Sequence, residues 1–381
     1  MSMLFTPVRL RDLEMRNRIW VSPMCEYSCE DQDGLANDWH LVHLGSRAVG
    51  GAGLVMTEAA AVTEDGRISP YDLGIWSDAH ADALVPSVRF IEANGAASAI
   101  QLAHAGRKAS TNRPWAGGKP VDSSEGGWEP SGPSALPYAP GYAEPHAYST
   151  AEVRAVIDAF AAATVRSARA GFKAVEIHAA HGYLLHQFLS PFSNVRNDEY
   201  GGSELNRMRF AIEVVESVRI HWPASKPLFV RFSVEDDSGW GPDQSVALAK
   251  ILKPKGVDVI DCSSGGMRGS PVVSAGPVTY GYQVPYAERL KKDADIMSMA
   301  VGLIVHADQA EQILQEGKAD LIALARELLY NPNWPMDAAQ KLGVDKQFGS
   351  VPPPQAYWLA KRAQSVKSVV PSTYTKGLSH G

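Results

Sequence analysis

The feature that most narrows the folding options of this chain is a rhythm. Eight short runs rich in Val, Ile and Leu alternate with longer stretches whose apolar residues recur at helical spacing. The runs fall near residues 18–22, 53–58, 98–102, 174–178, 228–233, 258–263, 296–301 and 320–325. Runs that are apolar at nearly every position suit strands covered on both faces, as parallel strands joined by crossover helices must be. Eight such strands close into a barrel filled by their own side chains. The sequence therefore predicts an α/β fold, a single (β/α)8 TIM barrel over residues 1–362. The alternative, an open doubly wound sheet, lacks a G-x-G-x-x-G after the first run.

Local signals agree with that plan. Val153, Val156, Ile157, Phe160 and Thr164 repeat at helical spacing after Ser149 and Thr150, and Gly171 supplies a stop. The stretch 308–316 repeats the logic, with Asp308 as the expected N-cap, Glu311 three residues on and Gly317 at the end. Residues 111–148 break the rhythm, with seven prolines and six glycines and no periodicity. They read as a lid or capping excursion over the barrel mouth, because long loops in compact domains are usually functional. Residues 363–381, with scattered Ser, Thr, Lys and Gly, read as a flexible tail.

Composition excludes several classes. The formal net charge of -6 has no basic cluster behind it, which argues against a nucleic-acid partner and for a small-molecule substrate. No apolar stretch reaches the length of a membrane span, and the start becomes charged too early for a secretory signal. The three cysteines, Cys25, Cys29 and Cys262, are too few to staple the chain, so a reducing, cytoplasmic setting is expected. Cys25 and Cys29 lack the partner pair that a zinc or iron-sulfur site requires, and read as free thiols.

In barrels of this kind the site lies at the C-terminal ends of the strands. Polar residues stand there: Ser22-Pro23-Met24-Cys25 after the first run, Gln101 to Lys108 after the third, and His178-Ala-Ala-His181-Gly-Tyr183 after the fourth. Arg231 lies in the fifth run, Ser263-Ser-Gly-Gly266 after the sixth, Gly302 after the seventh and Arg326 after the eighth. Glycines that allow close backbone approach, beside an arginine, point to a phosphate at the seventh and eighth strands. If the chain leaves the fourth strand as a helical turn, His178 and His181 point to one side. Two imidazoles can then grip one oxygen and stabilise charge developing on it. Tyr183, two residues later, suits a proton donor. The same H-x-x-H could instead bind a metal in a barrel hydrolase, with a third ligand drawn from Glu58, Asp261 or His104.

Taken in order, Ser22-Pro-Met-Cys25-x-Tyr27, Thr57-Glu-Ala59, Gly66-Arg-Ile68, Gly74-Ile-Trp76, the Gln101–Lys108 run and His178-Ala-Ala-His-Gly-Tyr183 resemble the Old Yellow Enzyme family. So do Ser190-Pro-x-x-Asn194, Arg196-x-Asp198-x-Tyr-Gly-Gly202, Ala300-Val-Gly302 and Arg326-Glu-Leu. The likeness spans roughly residues 3–362 and is strongest to the bacterial, thermophilic-type branch that includes xenobiotic reductases. It implies an FMN-dependent ene-reductase that passes hydride from NADPH or NADH, through flavin N5, to the β carbon of an alkene activated by a carbonyl or nitro group.

The resemblance places FMN among Ser22, Pro23, Met24, Cys25, Ala59, Gln101, His178 and Arg231, with its phosphate near Gly302, Ala325 and Arg326. His178 and His181 would hold the activating oxygen, Tyr183 would donate the proton, and Tyr27 and Ile68 would line the substrate space. Cys25 would touch the flavin, and no metal is implied. Ala325 departs from the family's glycine before the phosphate arginine. Trp358 and Arg362 match residues that reach a neighbouring subunit's site, so the resemblance implies a homodimer or homotetramer. The related dienoyl reductases add an iron-sulfur cluster and a nucleotide domain, for which this chain lacks the cysteines and the length.

Overall fold

A computed structural model describes residues 2–269 and 277–365 of the chain. Its centre is a closed barrel of eight parallel strands. In chain order these are β1 (Ile19–Val21), β2 (Leu54–Ala61), β3 (Ala97–Ala103), β4 (Ala174–Ala179), β5 (Leu228–Ser233), β6 (Val259–Ser263), β7 (Met297–Ala300) and β8 (Leu321–Leu324). Each pairs with the next, and β8 pairs with β1 to close the ring. The crossover helices are α1 (Asp38–Val49), α2 (Asp78–Ala93), α3 (Thr150–Ala170), α4 (Glu204–His221), α5 (Pro242–Leu252), α6 (Val284–Ala294), α7 (Ala307–Gln315) and α8 (Trp334–Lys341). All eight expected strands are present, and the open sheet is ruled out by the β8–β1 pairing.

Strand alternation sorts side chains into two layers. Ile19, Val21, Val55, Ile100, Val175, Ile177, Val230 and Ile260 face outward into the large core shared with the helices. Trp20, Leu54, Met56, Ala97, Ala99, Ala174, Phe229, Val259, Met299 and Leu321 face inward and form a separate cluster. That inner cluster is sealed from below by Val8, Leu10 and Met15 of an antiparallel ribbon, Val8–Leu10 against Leu13–Met15. Trp20 and Phe229 pack inside it with ring centroids 5.0 Å apart. The same inward parity, continued up the strands, gives Gln101, Glu176, His178, Arg231, Ser233, Asp261 and Ser263, all buried. The barrel is thus apolar at one end and polar at the other.

One helix cap lies where its local sequence signal puts it and another is displaced. Ser149 caps α3, its amide and hydroxyl both donating to Glu152 at 2.7 Å, and Gly171 ends the helix at φ +100. α7 is capped by His306 rather than Asp308, because Gln309 reaches back to the Val305 amide at 2.9 Å and fills the position expected for Glu311. Glu311 instead accepts from the Met3 amide at 2.7 Å and the Leu4 amide at 3.0 Å, tying down the N-terminal segment.

The 111–148 excursion is ordered by isolated contacts rather than by periodic structure. Thr111 bridges Pro120, and Ser131–Gly132 pairs in parallel with His146–Ala147. Its Trp115 stands edge-on to Tyr27 with centroids 5.8 Å apart, and Tyr138 lies 4.8 Å from the Lys108 ammonium. These contacts set it over the polar end of the barrel. At the other terminus a last helix, Pro353–Ser365, runs into the expected tail, correcting its start; residues 366–381 lie outside the described part.

Candidate active site

His178 is the last inward-facing residue of β4, and the chain then turns sharply rather than helically. His181 and Gly182 are consecutive left-handed residues at φ +58 and +74, which corrects the expected helical turn. The rings nevertheless converge: His178 and His181 have centroids 5.1 Å apart at 85°, and Tyr183 lies 5.1 Å from His178 at 76°. The His178 Nδ1 accepts the Ala180 amide at 3.3 Å, so in the neutral ring the proton sits on Nε2. His181 Nε2 lies 2.7 Å from Ser263 Oγ. Burial, reinforced by the Arg231 guanidinium, holds both imidazoles well below their usual pKa. Both are therefore uncharged at neutral pH, suited to donate a hydrogen bond without carrying charge.

Beside them is a small apolar wall in which Ile68, Ala105 and Ala109 pack with Cys25, Tyr27, Trp128 and Tyr183. Burial, with the Asp72 and Glu58 carboxylates nearby, pushes the Cys25 thiol up, so it stays protonated. Burial and Cys25 likewise raise the Tyr27 and Tyr183 phenols. Asp72 accepts the Ile68 amide at 2.6 Å and so fixes the turn that presents Ile68. The Lys108 ammonium lies 4.8 Å from the Tyr183 ring and donates to His181 O at 2.8 Å. Burial and Arg107 lower its pKa to about 8.

On the far side, Arg231 donates to Ser22 Oγ at 3.2 Å and contacts Asp261 at 3.2 Å, without a well-aligned acceptor for its Nε. Gln101 pairs in register with Ala59 and donates to Glu176 at 2.7 Å. Burial and the neighbouring Asp261 push Glu176 up to about 8. A cavity of about 440 Å³ opens here, lined by His181, Arg231, Ser263, Gly302, Ala325 and Arg326 among others. Gly302 sits at φ +108, and a Cβ there would come within 2.5 Å of Gln283 Nε2. Ala325 has φ −110, so its backbone needs no glycine. Two cationic side chains, Arg326 and the buried Arg231 with its unmatched N–H, beside an open cavity fit an anionic, polar-edged ligand such as FMN.

The proposed metal ligands are committed elsewhere: Glu58 contacts His40 at 3.3 Å, Asp261 contacts Arg231, and His104 Nε2 meets Tyr148 Oη at 3.2 Å. Among the described residues no group of three or more such side chains could hold a metal ion. Cys25, Cys29 and Cys262 are free thiols. Within one chain Trp358 is not brought to the histidines: it is 63% exposed on the last helix, against Tyr357. Sequence reasoning missed Asp72, His186, Asp236 and Gln283. The only signal for His186 was its place five residues after His181, and Asp236 had none.

A barrel carrying neutral histidines beside a cavity suited to an anion has the build of an enzyme acting on small molecules, and the comparisons make the class specific. The model of the NADH:flavin oxidoreductase / NADH oxidase family matches residues 3–345. An NADPH dehydrogenase of Geobacillus sp. (strain WCH70) is 47% identical over 346 residues, covering 90% of this chain and 95% of that protein. Among solved structures, morphinone reductase in complex with tetrahydroNAD aligns with a TM-score of 0.73 at 27% identity, covering 90% of this chain and 91% of that one. A 2-naphthoyl-CoA reductase complex aligns with a TM-score of 0.80 at 26% identity over 91% of this chain, which spans only 53% of that longer protein. The chain belongs to the NADH:flavin oxidoreductase / NADH oxidase family, that of the Old Yellow Enzymes. It is an NAD(P)H:flavin oxidoreductase whose cofactor is FMN and whose hydride donor is a nicotinamide dinucleotide. Among the described residues no helix is long and apolar enough to cross a membrane.

Proposed function

We propose that the chain is an ene-reductase acting on alkenes activated by a carbonyl or nitro group. FMN supplies the two-electron carrier between NADPH or NADH and the alkene's β carbon. The observation that carries this reading is the pair of neutral imidazoles 5.1 Å apart with the Tyr183 ring at the same distance from His178. In this reading His178 and His181 each present an N–H to the activating oxygen and stabilise the charge that develops there. Tyr183, a phenol held protonated, delivers a proton to the neighbouring carbon. Tyr27 and Ile68 form the apolar wall that orients the alkene and excludes water.

The cofactor would lie across the mouth, with Ser22, Pro23, Met24, Cys25, Ala59, Gln101, His178 and Arg231 around its ring system. Gly302, Ala325 and Arg326 would hold its phosphate. Trp358 and Arg362, both exposed on the last helix, would complete the site of a neighbouring subunit in a homodimer or homotetramer. Three unpaired cysteines support a cytoplasmic location. The metal-dependent hydrolase reading has no observation in its favour. The test is an anaerobic spectrum of the purified holoenzyme: NADPH should bleach the visible flavin band, and cyclohexenone should restore it with formation of cyclohexanone. A reduced band that cyclohexenone leaves bleached would refute the reading.

A further inference from the structure

The turn that carries His181 is closed by the Tyr183 amide donating to Ala180 O at 3.1 Å, and its two central residues are held by side chains. All four backbone groups of His181 and Gly182 bond to side chains. The His181 amide donates to Ser233 Oγ at 2.9 Å and its carbonyl accepts from Lys108 at 2.8 Å. The Gly182 amide donates to His186 Nδ1 at 2.9 Å and its carbonyl accepts from Gln187 at 2.7 Å. Gly182 has no room for a side chain, since a Cβ would stand 2.1 Å from Gly266 O. A non-glycine residue such as His181 adopts this conformation only where its surroundings over-determine it.

One of those four bonds depends on which ring nitrogen carries a proton. To accept the Gly182 amide, His186 Nδ1 must be bare, which puts the proton on Nε2. Nε2 lies 3.0 Å from Asp236 Oδ2, an off-axis ion contact in which both side chains are fully buried. The second Asp236 oxygen, Oδ1, accepts the Ser238 amide at 2.7 Å and the Trp240 amide at 3.1 Å. Burial alone would raise this carboxyl, but His186 and Ser238 hold it below the usual range, so it is ionised. A carboxylate at Nε2 favours the proton there, as a buried aspartate does for the histidine of a serine-protease triad.

We propose that Asp236 and His186 are positioning residues for His181: the buried carboxylate selects the imidazole tautomer that holds the Gly182 amide, and that amide fixes the turn presenting the His181 ring. The inference rests on the reading of His181 as a donor to the substrate oxygen. Asp236→Asn separates tautomer from shape. The Ser238 and Trp240 amides keep the side-chain oxygen at the δ1 position, so the new NH2 faces His186 Nε2. Two donors cannot face one another, and the ring proton moves to Nδ1, against the Gly182 amide.

The experiment uses the FMN-loaded enzyme. Nitrogen NMR of histidine-labelled protein should show His186 protonated on Nε2 in the wild type and on Nδ1 in D236N. Reoxidation of the anaerobically reduced enzyme by cyclohexenone should slow about ten-fold in D236N, the size of one buried amide left without its acceptor. Reoxidation by molecular oxygen, which needs no imidazole donor, should be unchanged. His186→Asn, which returns an acceptor near the Nδ1 position, should keep most of the cyclohexenone rate, and His186→Leu should not. Three results overturn the proposal: wild-type His186 protonated on Nδ1, a D236N tautomer shift with no change in rate, or H186N as slow as H186L. If His181→Ala also reacts with cyclohexenone at the wild-type rate, the functional reading fails with it; if His181→Ala is slow, only the positioning claim is lost.

Discussion

The two ends of the barrel are built from the same strands by opposite rules. At the lower end the inward positions are Trp20, Leu54, Ala97, Phe229 and Val259, closed over by the N-terminal ribbon, and burial there stabilises the fold. At the upper end the same faces carry Glu176, His178, Arg231 and Asp261, buried ionisable groups whose desolvation works against stability. The contrast teaches that a barrel of this kind separates holding itself together from doing chemistry. The apolar floor offsets the cost of a ceiling of buried ionisable groups.

That separation can be broken by exchange of effects. The largest expected change is from Trp20→Ala at the floor, which should cost about 3–5 kcal/mol in urea unfolding, as large aromatic truncations do. FMN content and cyclohexenone turnover per folded molecule should stay at wild-type values; a comparable loss of turnover would mean that the two ends are coupled. A smaller effect is expected at the ceiling from Lys108→Met. The wild-type lysine has its pKa lowered to about 8 from 10.5, mainly by burial, so the unfolded chain binds the extra proton between those values. Stability of the wild type relative to K108M should therefore rise from about pH 8 towards 10.5, because the cost of burying the cation disappears as it deprotonates. A difference curve that is flat or falls across that window would contradict the assignment.

The floor was legible in the sequence and the ceiling only partly so. Apolar runs announce buried parallel strands, so all eight could be placed within a few residues. The motif residues at the strand ends were legible as residue types, and His178, His181 and Tyr183 do meet. Their backbone path was not, because His181 and Gly182 are held by Ser233 and Lys108 from distant segments together with His186 and Gln187 of the short helix that follows. The α7 cap slid for a similar reason: Glu311 was drawn away to the Met3 and Leu4 amides. The pairing of Ser131–Gly132 with His146–Ala147 was invisible, since two-residue strands have no period to read.

The central claim of the proposed function is that two neutral imidazoles at the ceiling activate the alkene, while a nicotinamide reduces the FMN held across the barrel mouth. Its most direct measurement is stopped-flow reoxidation of the reduced holoenzyme carrying His178→Ala and His181→Ala together. Measured per bound FMN, cyclohexenone should react at least 10²–10³-fold more slowly than in the wild type, the loss typical of removing one preorganised donor, with oxygen reactivity retained. A doubly substituted enzyme that reduces cyclohexenone at the wild-type rate would contradict the account.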